Sequence, residues 1–152
     1  MKLFALPAAL AAVLAFTSLA ETAPIINGTV YEETNDQDCS STDHCNLTFT
    51  LVPAGRTLTV NSVSCLVLKS TSQFVFSLSV GQLVGPPPVV KRPRFLTPVQ
   101  LGIGSALETY QSNDEVELVL KANTRPAVSV NAFGHTGSIS LQCTIIGKLS
   151  QS

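Results

Sequence analysis

Apolar and small polar side chains alternate along residues 73–80, which read QFVFSLSV. Successive side chains of an extended chain face opposite sides, so the large apolar groups fall on one side of this stretch. They are Phe74, Phe76, Leu78 and Val80. The stretch therefore predicts a β-strand that has one buried face and one face in contact with water.

The same period of two recurs along most of the chain beyond residue 45. It is found at 47–51, 57–69, 115–120, 128–132 and 138–146. Turn sequences separate these segments at intervals of about 8 to 12 residues, which is typical of sandwiches and barrels. We therefore predict an all-β fold, an antiparallel β-sandwich or jelly-roll-like barrel of about eight short strands stapled by disulfides. A change of parity near Asn61 and Ser62 predicts a β-bulge there.

The apolar positions of these segments define the predicted core, because each strand has to bury one face against another element. The positions expected to be buried are Phe49, Leu51, Leu58, Val60, Cys65, Phe74, Phe76, Leu78, Val116, Leu118, Val128, Val130, Ile139, Leu141 and Ile145. No amphipathic helix is predicted after the first twenty residues, since no later segment has a helical period.

The first twenty residues have the features of a secretory signal peptide. Lys2 precedes an apolar run from Leu3 to Phe16, and small residues lead up to Ala20. The run is shorter than the roughly 20 apolar residues that span a bilayer, so we predict cleavage after Ala20 and no transmembrane anchor. The mature protein is therefore expected to be secreted or periplasmic.

Charged residues make up only 12% of the 152 residues, and they are unevenly distributed. Six acidic residues and no basic residue lie from Glu21 to Asp43. We therefore divide the chain into the signal peptide (1–20), an acidic lead-in with a short disulfide loop (21–45) and a β-sandwich domain (46–152). The later basic residues do not alternate with aromatic side chains, so nucleic-acid binding is not expected.

All four cysteines lie in the exported part of the chain, and an even number is typical of disulfide-bonded proteins. Cys39 and Cys45 enclose a short polar segment, whereas Cys65 and Cys143 lie on the apolar sides of two predicted strands. Of the three possible pairings, we predict Cys39–Cys45 and Cys65–Cys143. The long bridge is expected to join early and late strands of the sandwich.

No catalytic, metal-binding or cofactor-binding residues are predicted. The chain has two histidines, no Gly-x-Ser-x-Gly motif and no phosphate-binding loop. Acidic side chains near Asp36 and Asp38 are suited to calcium, but the EF-hand spacing fails and a solvated acidic loop is the simpler interpretation. Asn27 and Asn46 begin N-glycosylation sequences, which matter only in a eukaryotic source.

The segment from Gly81 to Arg94 is rich in glycine and proline. Prolines remove the donors of a strand ladder, so we predict a loop or an edge segment here and no strand within residues 86–94. Three consecutive prolines stiffen the chain, which lowers the entropic cost of docking on a partner. The candidate partner-binding residues are Pro86, Pro87, Pro88, Val89, Val90, Lys91, Arg92 and Arg94.

Two alternatives compete with recognition at this segment. One is a plain connection that crosses from one sheet to the other. The other is a substrate-like loop that offers Lys91 or Arg92 to a trypsin-like protease and inhibits it.

The sequence as a whole favours an exported, non-catalytic interaction or structural module of the cell envelope or secretome. Its partner would be another protein or a second copy of the chain. The alternative is a secreted enzyme, or a protease inhibitor that uses residues 86–94. Short stretches at 52–58, 63–65 and 143–147 resemble small exported bacterial β-proteins of no assigned function, and this resemblance implies no functional residue.

Overall fold

The computed structural model describes residues 23–71, 73–134 and 136–152. Its strands form two antiparallel sheets that pack against each other, so the predicted all-β sandwich is confirmed. In these ranges, no helix has the length and apolar character needed to cross a membrane. The predicted signal peptide and the side chain of Phe74 lie outside the described residues.

Ten strands follow one another along the described ranges. They are β1 (Ile25–Asn27), β2 (Val30–Thr42), β3 (His44–Thr48), β4 (Arg56–Ser70), β5 (Gln73–Val84), β6 (Val89–Phe95), β7 (Val99–Ile103), β8 (Leu107–Leu120), β9 (Arg125–Gly134) and β10 (Gly137–Gln151). The larger sheet has the order β1-β2-β10-β4-β8-β7, and the smaller sheet has the order β3-β9-β5-β6.

Strand β4 contains the bulge that the sequence predicts. Its pairing with β10 shifts from Ile146 opposite Ser62 to Gly147 opposite Val60, so Asn61 is the extra residue there. The buried positions change there from even to odd numbers, from Val60 to Val63. The bulge therefore lets one long strand keep a single buried face although its sequence changes parity.

Side chains from the facing sides of the two sheets form one hydrophobic core. The predicted core residues that are buried there are Phe49, Leu58, Val60, Cys65, Leu78, Leu118, Val128, Val130, Ile139, Leu141 and Ile145. Phe76 and Val116 are partly buried and pack against this core. The pattern of alternation thus identified most of the core within the strands.

The prediction of a buried Leu51 is wrong. Its side chain is 46% exposed, whereas the neighbouring Val52 is 2% exposed. Strand β3 ends at Thr48, and the chain then turns to run beside residues 123–124. There Val52 N donates to Thr124 O at 2.9 Å, and Asn123 N donates to Val52 O at 2.9 Å. Strand alternation no longer applies after Thr48, so Val52 points inward instead.

Both predicted disulfides are present, with S–S distances of 2.04 Å for Cys39–Cys45 and 2.12 Å for Cys65–Cys143. Cys65 and Cys143 lie opposite each other on the neighbouring strands β4 and β10 of the larger sheet. Cys39 belongs to β2 of the larger sheet, whereas Cys45 belongs to β3 of the smaller sheet. The short disulfide therefore connects the two sheets, and the long one links two strands of a single sheet.

The described part of the segment predicted as an acidic lead-in, residues 21–45, is built into the sandwich. Strand β2 lies between β1 and β10, and it pairs with β10 along its length. The exposed acids Glu32, Asp36 and Asp38 alternate with inward-facing positions that include the buried Tyr31 and Glu33. Three acids of the charge run therefore lie on the outer face of a strand, and a fourth, Glu33, is buried.

Candidate functional site

The candidate partner-binding residues belong to a β-hairpin. Strands β5 and β6 pair from Val84 opposite Val89 to Ser79 opposite Phe95, and residues 85–88 form the exposed turn. The prediction of an edge segment is confirmed, because β6 is the outermost strand of the smaller sheet. The prediction that residues 86–94 contain no strand is wrong, because β6 runs from Val89 to Phe95. The outer side of an edge strand pairs with no other strand, so the missing N–H of Pro93 is tolerated there.

A bulge in this hairpin contains Arg92 and Pro93. Both residues lie opposite Gly81, because the pairing shifts between Val80 and Gln82. Arg92 has a φ of 52°, a left-handed conformation that side-chain-bearing residues rarely adopt. A Cβ atom at Gly81 would lie 2.6 Å from Lys91 O, so glycine permits the close approach of the two strands. Gly81 thereby fixes how β6 presents Arg92.

Three basic side chains are exposed along β6, those of Lys91, Arg92 and Arg94. None of the three forms an ion pair within the described ranges. Arg94 Nε donates a hydrogen bond to the main-chain oxygen of Glu117 in β8, at 3.3 Å. This contact joins the edge of the smaller sheet to β8 of the larger sheet, on the side of the sandwich formed by β6, β7 and β8. We call this side the open side.

A groove of about 440 Å³ separates β6 from β8 on the open side. It is lined by Arg92, Arg94, Glu117, Leu118 and Val119. Strand β7 pairs with β8 only from Glu108 to Gln111, so the remainder of this β8 edge has no neighbouring strand among the described residues. Main-chain groups that face an open edge can accept a further strand.

Apolar side chains are exposed beside this groove. Val99, Leu101 and Ile103 of β7 are 60%, 58% and 72% exposed, and Phe95 at the end of β6 is 72% exposed. Phe95 lies opposite Ser79 on the outer face of the smaller sheet, and the bulge at Leu101 places Val99 and Ile103 on opposite faces of the larger sheet. The four side chains therefore flank the open side on two edge strands. We call these four residues the open-side patch. Several large apolar groups exposed on one side of a protein mark interaction surfaces in many cases.

The first half of the candidate segment faces another surface. A second groove, of about 300 Å³, lies against the outer side of the smaller sheet and is lined by His44, Ser79, Pro88, Val89, Val90, Pro93, Phe95, Ser129 and Asn131. His44 Nδ1 and Asn131 Oδ1 are 2.7 Å apart there. The structure thus divides the predicted residues into two sets: Pro88, Val89 and Val90 line this outer groove, and Arg92 and Arg94 line the groove of the open side.

An ion pair between a buried lysine and a partly exposed glutamate lies near β7. Lys69 is fully buried, and its Nζ atom is 2.9 Å from Glu108 Oε2. Tyr110 donates its hydroxyl to the same oxygen at 2.5 Å, and Lys69 Nζ lies 5.5 Å from the centre of its ring. The Tyr110 hydroxyl and, after it, the Lys69 ammonium lower the pKa of Glu108. Burial and the Glu108 carboxylate raise the pKa of Tyr110 to about 12.

A buried carboxylate, that of Glu33, holds the chain after β3 against β2. It accepts hydrogen bonds from the main-chain N and the hydroxyl of Thr50, each at 2.9 Å, and from the Tyr31 hydroxyl. Burial and, secondarily, the contact with Glu33 raise the pKa of Tyr31. Each of these groups has a partner in the fold, so the cluster stabilises the sandwich.

Within the ranges that the structure covers, there is no group of three or more His, Cys, Asp or Glu side chains suited to a metal ion. The sequence matches no protein-family model and no curated protein. The geometry of the open side is therefore the observation from which a function can be proposed.

Two parts of the open side were not identified from the sequence, namely strand β7 and the free edge of β8. The alternation of Val99, Leu101 and Ile103 is a strand signal, but alternating apolar residues usually indicate a buried face. Their exposure depends on the order of strands, since β7 is the last strand of its sheet. Sheet order is a long-range property that periodicity does not contain.

Proposed function

We propose that the chain is an exported, non-catalytic module that binds another protein through the open side of its sandwich. The observation that carries this proposal is the open-side patch on two edge strands, next to the unpaired cations of β6. Aromatic, aliphatic and arginine side chains are the groups that contribute most of the energy at protein interfaces. Edge strands add main-chain groups that fix the orientation of a partner.

Export is supported by the composition of the first twenty residues and by the two disulfides, which persist in oxidising compartments. We therefore place the protein in the secretome or the cell envelope. The proposed partner is therefore a protein of the same compartment.

The inhibitor alternative has weaker support. Lys91 lies opposite Gln82 within the β5–β6 ladder, so it is part of a strand and not of a protruding substrate-like loop. An enzyme would need a nucleophile, a base and a partner that orients the base, and the sequence offers no such combination. Binding to a protein remains the function that the exposed groups support best.

The test compares two triple variants of the mature protein. One replaces Val99, Leu101 and Ile103 by serine on β7, and the control replaces Ile25, Ile26 and Val30 by serine at the opposite edge of the larger sheet. Those three control side chains are also large, apolar and exposed. Each protein is immobilised and incubated with the extracellular and envelope fractions of the source, and captured proteins are identified and their Kd measured.

We expect the wild type and the control variant to capture the same protein. The β7 variant should bind it at least about thirtyfold more weakly, which corresponds to one interface hot spot of about 2 kcal/mol. Equal affinity of both variants for the captured protein would contradict the proposal. So would a dimer in light scattering that the β7 variant dissociates, because the open side would then serve self-association. Inhibition of trypsin by the wild type would favour the alternative.

A further inference from the structure

The groove between β6 and β8 has the features of a site for one more strand. Its floor is the β8 edge at Glu117, Leu118 and Val119, beyond the part that pairs with β7 and beyond Asp114, whose carboxylate accepts a hydrogen bond from Thr97 N. The main-chain oxygen of Glu117 points into the groove, because it accepts the hydrogen bond from Arg94 Nε. Val116 and Glu117 form a bulge opposite Asn61, and beyond it the strand is regular. A regular strand residue directs its N–H and C=O to the same side, so Glu117 offers its C=O and Val119, two residues later, offers both groups to an incoming chain.

The charge of the groove lining indicates which kind of peptide could bind there. Arg92 and Arg94 contribute two positive charges to the groove and Glu117 contributes one negative charge, so the net charge of its lining is positive. A chain that placed apolar side chains against the two guanidinium groups would remove them from water without giving them a partner, which is unfavourable. Carboxylates would instead form charge-assisted hydrogen bonds with both arginines.

The pleat of β8 determines which side chains of an incoming peptide strand would face the arginines. Leu118 is buried and faces the smaller sheet, whose nearest strand here is β6, whereas Val119 is half exposed on the other face. In a strand added beside β8, side chains that share the face of Leu118 would meet the arginines, and side chains that share the face of Val119 would lie beside an apolar group.

We propose that the partner segment is an extended peptide of alternating acidic and apolar residues, which adds as a strand to the free edge of β8 and pairs its carboxylates with Arg92 and Arg94. This inference rests on the proposed protein-binding function and specifies the chemistry of the partner at the same site. The existing Arg94–Glu117 hydrogen bond occupies one main-chain acceptor in the free protein and opens when the peptide strand arrives.

Synthetic peptides test this inference directly. The main probe is a short fluorescent peptide that alternates glutamate with valine. Three matched probes replace glutamate by lysine, group the glutamates at one end, or carry N-methyl groups on alternate main-chain nitrogens so that one edge cannot pair. The last probe keeps the charge and the side chains of the main probe, so it isolates the contribution of strand pairing.

We expect the alternating Glu/Val peptide to bind and the three matched probes to bind at least about tenfold more weakly. The variants Arg92→Gln and Arg94→Gln should each weaken the binding of the main probe by about tenfold, since hydrogen bonds to charged groups are lost. The matched control is Arg125→Gln, an exposed arginine outside the groove, and it should leave affinity unchanged. Hydrogen exchange at the Val119 amide should slow when the peptide binds.

Binding of the N-methylated probe as tightly as the main probe would overturn strand addition. Equal affinity of wild type and both groove variants would overturn the role of the arginines, and so would arginine-dependent binding of a single-stranded oligonucleotide in preference to the peptide. The two proposals fail separately. If no acidic peptide binds but the β7 serine variant still loses its captured protein, this inference is wrong and the proposed function stands.

Discussion

At the scale of single residues, Gly81 has the greatest influence on the proposed site. It lies opposite the bulged pair Arg92 and Pro93, and an added Cβ would also lie 2.6 Å from Val90 Cγ1. The contact with Lys91 O involves main chain on a paired strand, which cannot move without disturbing the ladder. The shape of the positively charged groove therefore depends on a residue that has no side chain.

Replacement of Gly81 by alanine should destabilise the protein by about 1–3 kcal/mol, because the new methyl group would force β5 and β6 apart. The matched control is Gly102→Ala in β7, where an added Cβ meets nothing within 4 Å. That change should alter stability by no more than about 0.5 kcal/mol. Urea unfolding of both variants measures the difference, and equal stability of the two would contradict the close approach at Gly81.

At the scale of elements, β4 and β8 contribute to the apolar core and form a partly buried ion pair at one end. Lys69 of β4 lies opposite Glu108 of β8, and both face the other sheet. The carboxylate also accepts the Tyr110 hydroxyl, and the Tyr110 ring packs edge-on against Phe76 with ring centres 4.4 Å apart. The cluster thereby connects a charge pair of the larger sheet to an aromatic side chain of the smaller sheet.

This cluster should make stability depend on pH in acid. The pKa of Glu108 is lowered from 4.5 in the folded protein, so below that value the unfolded chain takes up a proton more readily than the folded one. The stabilisation is therefore complete above the unfolded pKa and is lost as the pH falls through the lowered folded pKa.

Urea unfolding between neutral pH and about pH 3 measures this loss. The Glu108→Gln variant should lose less stability on acidification than the wild type. The exposed carboxylate of Glu115 on the same strand provides the control, since Glu115→Gln should follow the wild-type profile. An identical decline in all three proteins would show that the Lys69–Glu108 pair has no part in it.

At the scale of the whole molecule, the two disulfides differ in the strands that they link and in the length of the loop that they close. Cys39–Cys45 is the disulfide that joins the two sheets, but it closes a loop with a sequence separation of only 6. Cys65–Cys143 lies within one sheet and spans a separation of 78. A disulfide stabilises a protein mainly by restricting its unfolded chain, and this effect increases with the length of the closed loop.

Loop length predicts that removing the long disulfide is the more damaging change. The Cys65→Ala/Cys143→Ala variant should lose about 4.5 kcal/mol and the Cys39→Ala/Cys45→Ala variant about 2.3 kcal/mol on the chain-entropy relation. Urea unfolding gives both values, and thiol titration verifies that the remaining disulfide is intact. If removing Cys39–Cys45 lowered the free energy of unfolding more than removing Cys65–Cys143, loop length would not be the main source of stabilisation. The link between the two sheets would then contribute more.

The sequence by itself determined the all-β class, the bulge at Asn61, both disulfide pairings and most of the core, because these follow from local alternation and from cysteines placed on recognisable strand faces. The tertiary structure alone decided that Val52 replaces Leu51 in the core, that β2 is an inner strand and that β6 is an edge strand despite its proline. It also decided the open side, since strand order brings Arg94 to Glu117 over a separation of 23 residues. Alternation specifies which side of a strand is apolar, but the neighbours of that strand depend on long-range pairing.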